Sequence, residues 1–444
     1  LAPAPGGSII EKTLRAAPTS IDLGGVQVDT WAYADTVPGP LLEARAGDLL
    51  RITLDNQLPA DTTIHWHGIA LNNAADGVPG MTQNTVLPGG RFLYEFAVPD
   101  PGTYFFHPHV GVQLDRGLYA PLIVTDPAEP GRYDSEWVVV LDDWVDGTGR
   151  TPDQILRDLT TNPSGTPGGM GGMDHSGMGN PPFGDAGDVA HPHFLINGAL
   201  PGAPVSYRGT PGERLRIRII NAASDTIFAV ALGGHQMTVT HSDGFAVQPH
   251  DTPALYVGMG ERYDVIVTLA DGVFALVAKP WGKNGQALAV VRSGSGTNPP
   301  ADIVLTELSG PILQGTDLHP AEASRLPDRA SDARVDLRLG GQMNPYVWTL
   351  NGAPFGQNSP LTVAEGQRLQ IDVTNATMMS HPLHLHGHTF ALPNGLRKDT
   401  VLIPPMGTTT LHLDATNPGD WAVHCHNIYH AEAGMMIALQ YLQG

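Results

Sequence analysis

Gly47 to Asn56 reads G-D-L-L-R-I-T-L-D-N, and the pattern returns twice, as G-E-R-L-R-I-R-I-I-N from Gly212 to Asn221 and G-Q-R-L-Q-I-D-V-T-N from Gly366 to Asn375. Each copy alternates apolar and polar side chains between a turn glycine and a turn asparagine, which is the period of a strand with one face buried. Three copies predict three homologous β-sandwich domains. Strand-like alternation bounded by Gly, Pro, Asn and Asp continues along the chain while amphipathic helical periodicity is scarce, so the expected fold class is all-β. Turn-rich stretches near Asp126–Arg132 and Gly294–Pro300 put the domains at 1–128, 129–296 and 297–444.

Counting forward from the three asparagines separates the domains chemically. Nine and eleven residues on lie His65 and His67 in the first copy and His384 and His386 in the third, whereas the middle copy has Val230 and Leu232. A second match aligns Gly102-T-Y-F-F-His107-P-His109 with Gly419-D-W-A-V-His424-C-His426, and the middle counterpart, Gly272-V-F-A-L-Val277-A-Lys279, again lacks histidine. Domains one and three each contribute two H-x-H pairs, and a cluster between those two domains follows.

The segment Gly419 to Met436, G-D-W-A-V-H-C-H-N-I-Y-H-A-E-A-G-M-M, holds the only cysteine. On a strand His424 and His426 face one way and Cys425 the other, so one short element serves two metal sites. A thiolate, imidazoles and a weak thioether form the ligand set of a blue copper site, and Cys425, His430 and Met435 supply three of its four members. In the alignment they fall opposite Pro108, Gln113 and Leu118 of domain one, and His381 falls opposite Thr62, which identifies the fourth. Read alone, the cysteine would be a small buried hydrophobe; the surrounding histidine pairs outweigh that reading.

Composition narrows the partners. With 44 acidic against 24 basic residues the net charge is −20, which repels nucleic acid and anionic membrane surfaces. The longest apolar runs, such as Val138–Leu141, are far too short to span a bilayer. One cysteine forbids an internal disulfide. The chain starts at Leu1 with no charged-then-apolar leader, so any signal peptide is expected to have been removed. Residues 162–188 form a Met/Gly-rich, low-complexity insert in domain two, expected to be a mobile loop with almost nothing to bury; its Met170, Met173, His175 and Met178 are soft ligands suited to Cu(I).

The segments His65-W-His67-G, His107-P-His109, His381-P-L-His384-L-His386-G and His424-C-His426 through Met435 resemble the multicopper oxidases, specifically three-domain laccases and bacterial copper-resistance relatives, over essentially the whole chain. The resemblance implies three cupredoxin-like Greek-key β-sandwich domains and four copper ions. By it, His381, Cys425 and His430 hold the type 1 copper with Met435 axial, and His65 and His384 hold the type 2 copper. One type 3 copper takes His67, His107 and His426, and its partner His109, His386 and His424. Nine further histidines, including His388 and His412, match no ligand position. The family pattern also makes Asp76 the candidate for proton delivery, against a plain Asp-Gly turn. Many bacterial relatives carry a glutamate where this chain has Ala431; Glu432 resembles the fungal pattern. His430 is expected in a turn with an exposed edge that receives electrons.

The implied activity is a laccase-type oxidation of phenols or aromatic amines, one electron at a time, coupled to four-electron reduction of dioxygen to water. The alternative is a periplasmic cuprous oxidase for copper tolerance. A metal-free scaffold and a copper store are weaker readings, since all eleven strong ligands are retained. A periplasmic or secreted location is expected.

Overall fold

The computed structural model describes residues 1–126, 128, 129, 132–161 and 182–442. Its strands form six sheets, two in each third of the chain. In the first third, the sheet ordered Gln27–Tyr33, Ile9–Asp22, Leu49–Asn56, Arg91–Ala97 packs on the sheet ordered Leu42–Arg45, Ala120–Thr125, Gly102–His107, His65–His67. Ile52, Tyr94 and Phe96 from one sheet meet Trp66, Phe106 and Leu122 from the other in a fully buried core. The middle and last thirds each pair a six-stranded with a five-stranded sheet.

The repeated decapeptide occupies one position in all three sandwiches. Leu49–Asn56, Arg214–Asn221 and Arg368–Asn375 each run parallel to the first long strand of their unit and antiparallel to a later one. The terminal asparagines are fully buried and fold the chain around themselves. Asn56 donates through Nδ2 to the carbonyls of Ala60 and Val86 and accepts from the Leu58 amide at 3.0 Å. Asn221 does the same with Thr226, Val257 and Ala223, and Asn375 with Met379, Ile403 and Thr377. An amide that donates twice and accepts once is what these corners need, and neither Asp nor Leu could replace it. Each corner launches the segment that carries histidines in domains one and three.

Among the described residues two α-helices stand beside the sheets. α1 (Pro152–Thr161) buries Ile155 and Leu159 and starts with a capping box, in which the Gln154 amide donates to Thr151 Oγ1 and the Thr151 amide to Gln154 Oε1. The signal T-P-D-Q was present in the sequence, and so was the i, i+4 apolar spacing. α2 (Ile428–Glu432) is capped by Asn427, whose side chain accepts from the Tyr429 and His430 amides. His430 therefore sits on a short helix and not in a simple turn.

The insert also needs correction. Residues 162–181, which include Met170, Met173, His175 and Met178, lie outside the described residues. The remainder, 182–188, buries a large side chain: Phe183 is 2% exposed and meets Tyr256 and Trp281 edge-on at 4.7 and 5.4 Å. Gly184 bridges Met379, and the Ser380 amide donates to the Phe183 carbonyl, so this strap lies across domain three. Among the described residues no helix is long and apolar enough to cross a membrane.

Candidate metal centres

His65–His67 pairs antiparallel with Gly102–His107, placing His65 opposite His107. In domain three His381–Leu385 pairs with Asp420–Cys425, placing His384 opposite His424 and Leu383 opposite Cys425. Strand alternation then sorts the side chains. Trp66 turns into its own sandwich against Tyr94, Phe96 and Phe106, while His65 and His67 turn outward to meet domain three.

The eight paired histidines converge in one buried interface. His65, His67 and His384 form one group with ligand atoms within 4.8 Å; His67, His107 and His426 form another, and His109, His386 and His424 a third. Their tautomers follow from their partners. His65 Nδ1 donates to the Asp76 carbonyl at 3.0 Å, His107 Nδ1 to Pro108, His384 Nδ1 to Asp399, and His424 Nδ1 to Cys425. A carbonyl only accepts, so the proton is on Nδ1 and each Nε2 keeps a lone pair. Those lone pairs face one another: His65 and His384 at 3.4 Å, and His386 and His424 at 2.9 Å. Opposed acceptors in a buried interface repel, and a cation bound beside them satisfies both. His67 is the mirror case: its Nε2 donates to Asp399 at 3.1 Å, and its buried Nδ1 has no partner.

Burial holds His67, His107, His109, His381, His386 and His426 well below the ordinary imidazole range, with neighbouring histidines adding to the effect, and pushes His424 down to about 3. Neutral imidazoles are the ligating form.

A separate group joins His381, Cys425 and His430. Cys425 Sγ lies 3.5 Å from His381 Nδ1 and 3.6 Å from His430 Nδ1, and the two Nδ1 atoms are 3.2 Å apart. The far nitrogens are occupied: His381 Nε2 by Thr377 Oγ1 at 2.7 Å and His430 Nε2 by Asp188 Oδ2 at 2.9 Å. Met435 is fully buried, and its carbonyl accepts from the Cys425 amide. One sulfur and two free imidazole nitrogens, with a thioether in the adjoining turn, fit copper.

Family profiles described as multicopper oxidase match residues 16–129, 135–296 and 328–444. The chain belongs to the multicopper oxidase family. It is 48% identical to the multicopper oxidase MmcO of Mycobacterium tuberculosis, over 98% of this chain and 88% of that one. It is 29% identical to a copper resistance protein A homolog of Pseudomonas syringae pv. tomato, over 97% and 92%, and 30% identical to laccase-2 of Cryptococcus neoformans, over 91% and 80%. Its fold superposes on Fet3p, a multicopper oxidase that functions in iron import, with a TM-score of 0.84 at 20% identity over 98% and 90% of the chains. On the laccase from Botrytis aclada the TM-score is 0.81 at 25% identity, over 99% and 89%. These neighbours share the three-domain cupredoxin-like architecture, and membership implies copper as the resident metal.

In this multicopper oxidase the described residues of the middle domain supply none of the histidines of these groups yet hold them in place. Arg262, fully buried, grips both Asp399 oxygens at 2.8 and 2.7 Å and donates from Nε to the Thr103 carbonyl. Asp399 in turn receives His67 Nε2, so one side chain from each domain meets at a single carboxylate. Although Asp399 is buried, Arg262 and the two histidines hold its carboxyl well below the usual range. Gly68 and Gly260 allow the close approach. Both have positive φ, and a Cβ on Gly68 would meet Arg262 Nη2 at 2.4 Å, while one on Gly260 would meet the His67 and His426 rings at 2.9 and 3.0 Å.

Asp76 is 1% exposed. Its Oδ2 accepts from His386 Nδ1 at 2.9 Å, and its buried Oδ1 lies 3.2 Å from His65 Nδ1. Glu432, by contrast, projects as an exposed residue from the end of α2. His430 is 1% exposed, against the expectation of an accessible edge. Asp188 caps its Nε2, and Trp348 covers its face with ring centroids 4.1 Å apart. Against Asp188 and Cys425, the imidazole that burial would lower is pushed up to about 10.

Sequence reasoning missed Asp188, Arg262 and Asp399. Asp188 closes a Gly/Asp-rich tail that reads as solvated loop, Arg262 opens an ordinary strand, and Asp399 is the bend between two short ones. His191 was left without a role, and it lies between Asp115 at 3.2 Å and Asp143 at 3.4 Å, joining domains one and two. His388 donates from Nδ1 to the His386 carbonyl and meets the Tyr441 hydroxyl at 2.6 Å, which makes it a structural prop. His412 is partly exposed and faces Ser331.

Proposed function

We propose that the protein is a laccase-type oxidase with four coppers, which takes single electrons from phenols or aromatic amines and reduces dioxygen to water. The observation that carries this reading is the set of buried imidazoles whose lone pairs face one another while their opposite nitrogens are locked by carbonyls and carboxylates. His381, Cys425 and His430 would hold the type 1 copper, with Met435 axial. His65 and His384 would hold type 2; His67, His107 and His426 one type 3 ion; His109, His386 and His424 the other. Bound copper supplies one-electron acceptance at the thiolate and stored charge for dioxygen reduction at the cluster.

The chain's own groups do the rest. Cys425 lies covalently between His424 and His426, so an electron arriving at the sulfur reaches both type 3 ligands through bonds. Asp399 and Asp76 fix the ring orientations of His67 and His386. Asp76, buried between His65 Nδ1, 3.2 Å from its Oδ1, and His386 Nδ1, is placed to carry a proton toward dioxygen-derived oxygen.

A cuprous oxidase is the second reading, and the cover over His430 favours it. A buried imidazole under a buried carboxylate admits a small cation more readily than a bulky phenol. Two exposed thioethers, Met378 at 66% and Met406 at 64%, stand beside the strap, whose Asp185 amide bonds the Met378 carbonyl. Relatives named for copper resistance support the same reading, and we assign a periplasmic or secreted location with it. Copper analysis should give four ions per chain, and paired oxygen uptake with a phenol and with Cu(I) separates the donors. Oxygen uptake with neither donor would sink both readings.

A further inference from the structure

The hydrogen bond between Asp188 and His430 joins two domains, and one carboxylate stands behind both of its ends. Asp225 is 2% exposed and belongs to the middle domain. Its Oδ1 accepts from the Asp188 amide at 3.0 Å and from Asn427 Nδ2 at 2.5 Å. Its Oδ2 accepts from the Val189 amide at 2.9 Å and from Lys283 Nζ at 2.8 Å. Asn427 Oδ1 in turn caps α2, receiving the Tyr429 amide at 3.1 Å and the His430 amide at 3.4 Å. One arm therefore fixes the backbone of Asp188 and the other fixes the helix that presents His430. We propose that Asp225 is a positioning residue for electron acceptance: it sets the geometry of the Asp188–His430 contact, and so the donor specificity and electronic state of the type 1 site, from a domain that supplies none of that site's ligands. The inference rests on the proposed role of His430 as the donor-side ligand.

The physical argument is one of valence. Each Asp225 oxygen receives two donors, and an asparagine there would turn an N–H₂ group toward two of them in either flip. No other described carboxylate touches both the strap and the α2 cap. Gly187 offers a second handle, because a Cβ at that position would meet Asp225 Oδ2 at 2.1 Å, its Cγ at 2.2 Å and its carbonyl oxygen at 2.3 Å, and so force the strap and Asp225 apart.

The test compares Asp225→Asn, Gly187→Ala, Asp188→Ala and the double variant Asp188→Ala/Asp225→Asn in copper-loaded full-length protein. Asp225→Asn should shift the thiolate-to-copper band and the type 1 reduction potential and lower kcat/KM for the donor by about tenfold, with copper content and KM for dioxygen unchanged. Gly187→Ala should reproduce the loss in kcat/KM, and it decides the matter should Asp225→Asn not fold. In the Asp188→Ala background the further loss in kcat/KM from Asp225→Asn should vanish. A parental band and kcat/KM in Asp225→Asn would overturn the proposal, as would full additivity with Asp188→Ala or a silent Gly187→Ala. Hydrogen exchange on copper-free protein tests the brace without the metal. Faster exchange at the Val189 and His430 amides of Asp225→Asn supports it, and unchanged exchange refutes it. A parent with no blue band at all would count against the function proposed above and leave that exchange measurement to judge the brace.

Discussion

Replacing Arg262 with methionine should loosen all three domains at once. The side chain is fully buried, and its guanidinium makes four hydrogen bonds: two to Asp399, one to the Gly260 carbonyl and one to the Thr103 carbonyl. Methionine fills similar volume, so little of the cost comes from a cavity. The cost comes from the carboxylate left behind, which keeps His67 and Thr400 as donors but loses its counter-charge. Removing one partner of a buried ion pair costs about 3–5 kcal/mol. At about 2–4 °C per kcal/mol for a unit of 150–250 residues, this corresponds to a fall of roughly 10 °C in the unfolding midpoint. Asp399 also positions His67, so copper occupancy of the cluster should drop while the blue site, which Asp399 does not touch, persists. The assay is calorimetry at a fixed scan rate on copper-loaded and copper-free protein, with copper counted after dialysis. A variant that unfolds within about 2 °C of the parent and retains full copper would refute the claim that the middle domain holds the cluster through this residue.

Cys425→Ser should abolish the visible band and all donor oxidation while cluster copper is retained; a variant that remains blue removes Cys425 from the site. Met435→Leu should raise the type 1 potential, because a thioether stabilises Cu(II) and leucine does not, and a redox titration showing no change or a fall would move the axial role to Met436. Stability of the copper-free protein should fall as the pH drops from about 7 to 5. The cluster histidines are held below their unfolded value of about 6.5, so the unfolded chain binds more protons in that window, and each such group contributes about 1.4 kcal/mol per pH unit. His430 has the opposite sign, but its contribution is largely complete below about pH 6.5 and is lost as the pH rises towards 10, so it acts mainly above this window. Denaturant midpoints that stay flat across this range would mean that those imidazoles are already protonated in the folded state.

The sequence by itself determined whatever is local and periodic. Three alternating decapeptides ending in asparagine fixed three sandwiches, because period-two alternation has one structural meaning and each buried asparagine satisfies a corner of its own chain. The spacing from those corners to the H-x-H pairs, and the alternation through His424, Cys425 and His426, made the metal-binding faces legible for the same reason. The helix α1 was passed over, although its capping signal at Thr151 to Gln154 stands in the sequence. Tertiary structure alone decided what depends on contacts between distant segments. That His430 lies under Asp188, that Asp225 holds both, and that Arg262 ties Asp399 to His67 follow from three domains packing together, and no residue among them has a neighbour in sequence that announces it. A buried charge is placed by the partner it must find across an interface, and that partner carries no periodic signal in the chain.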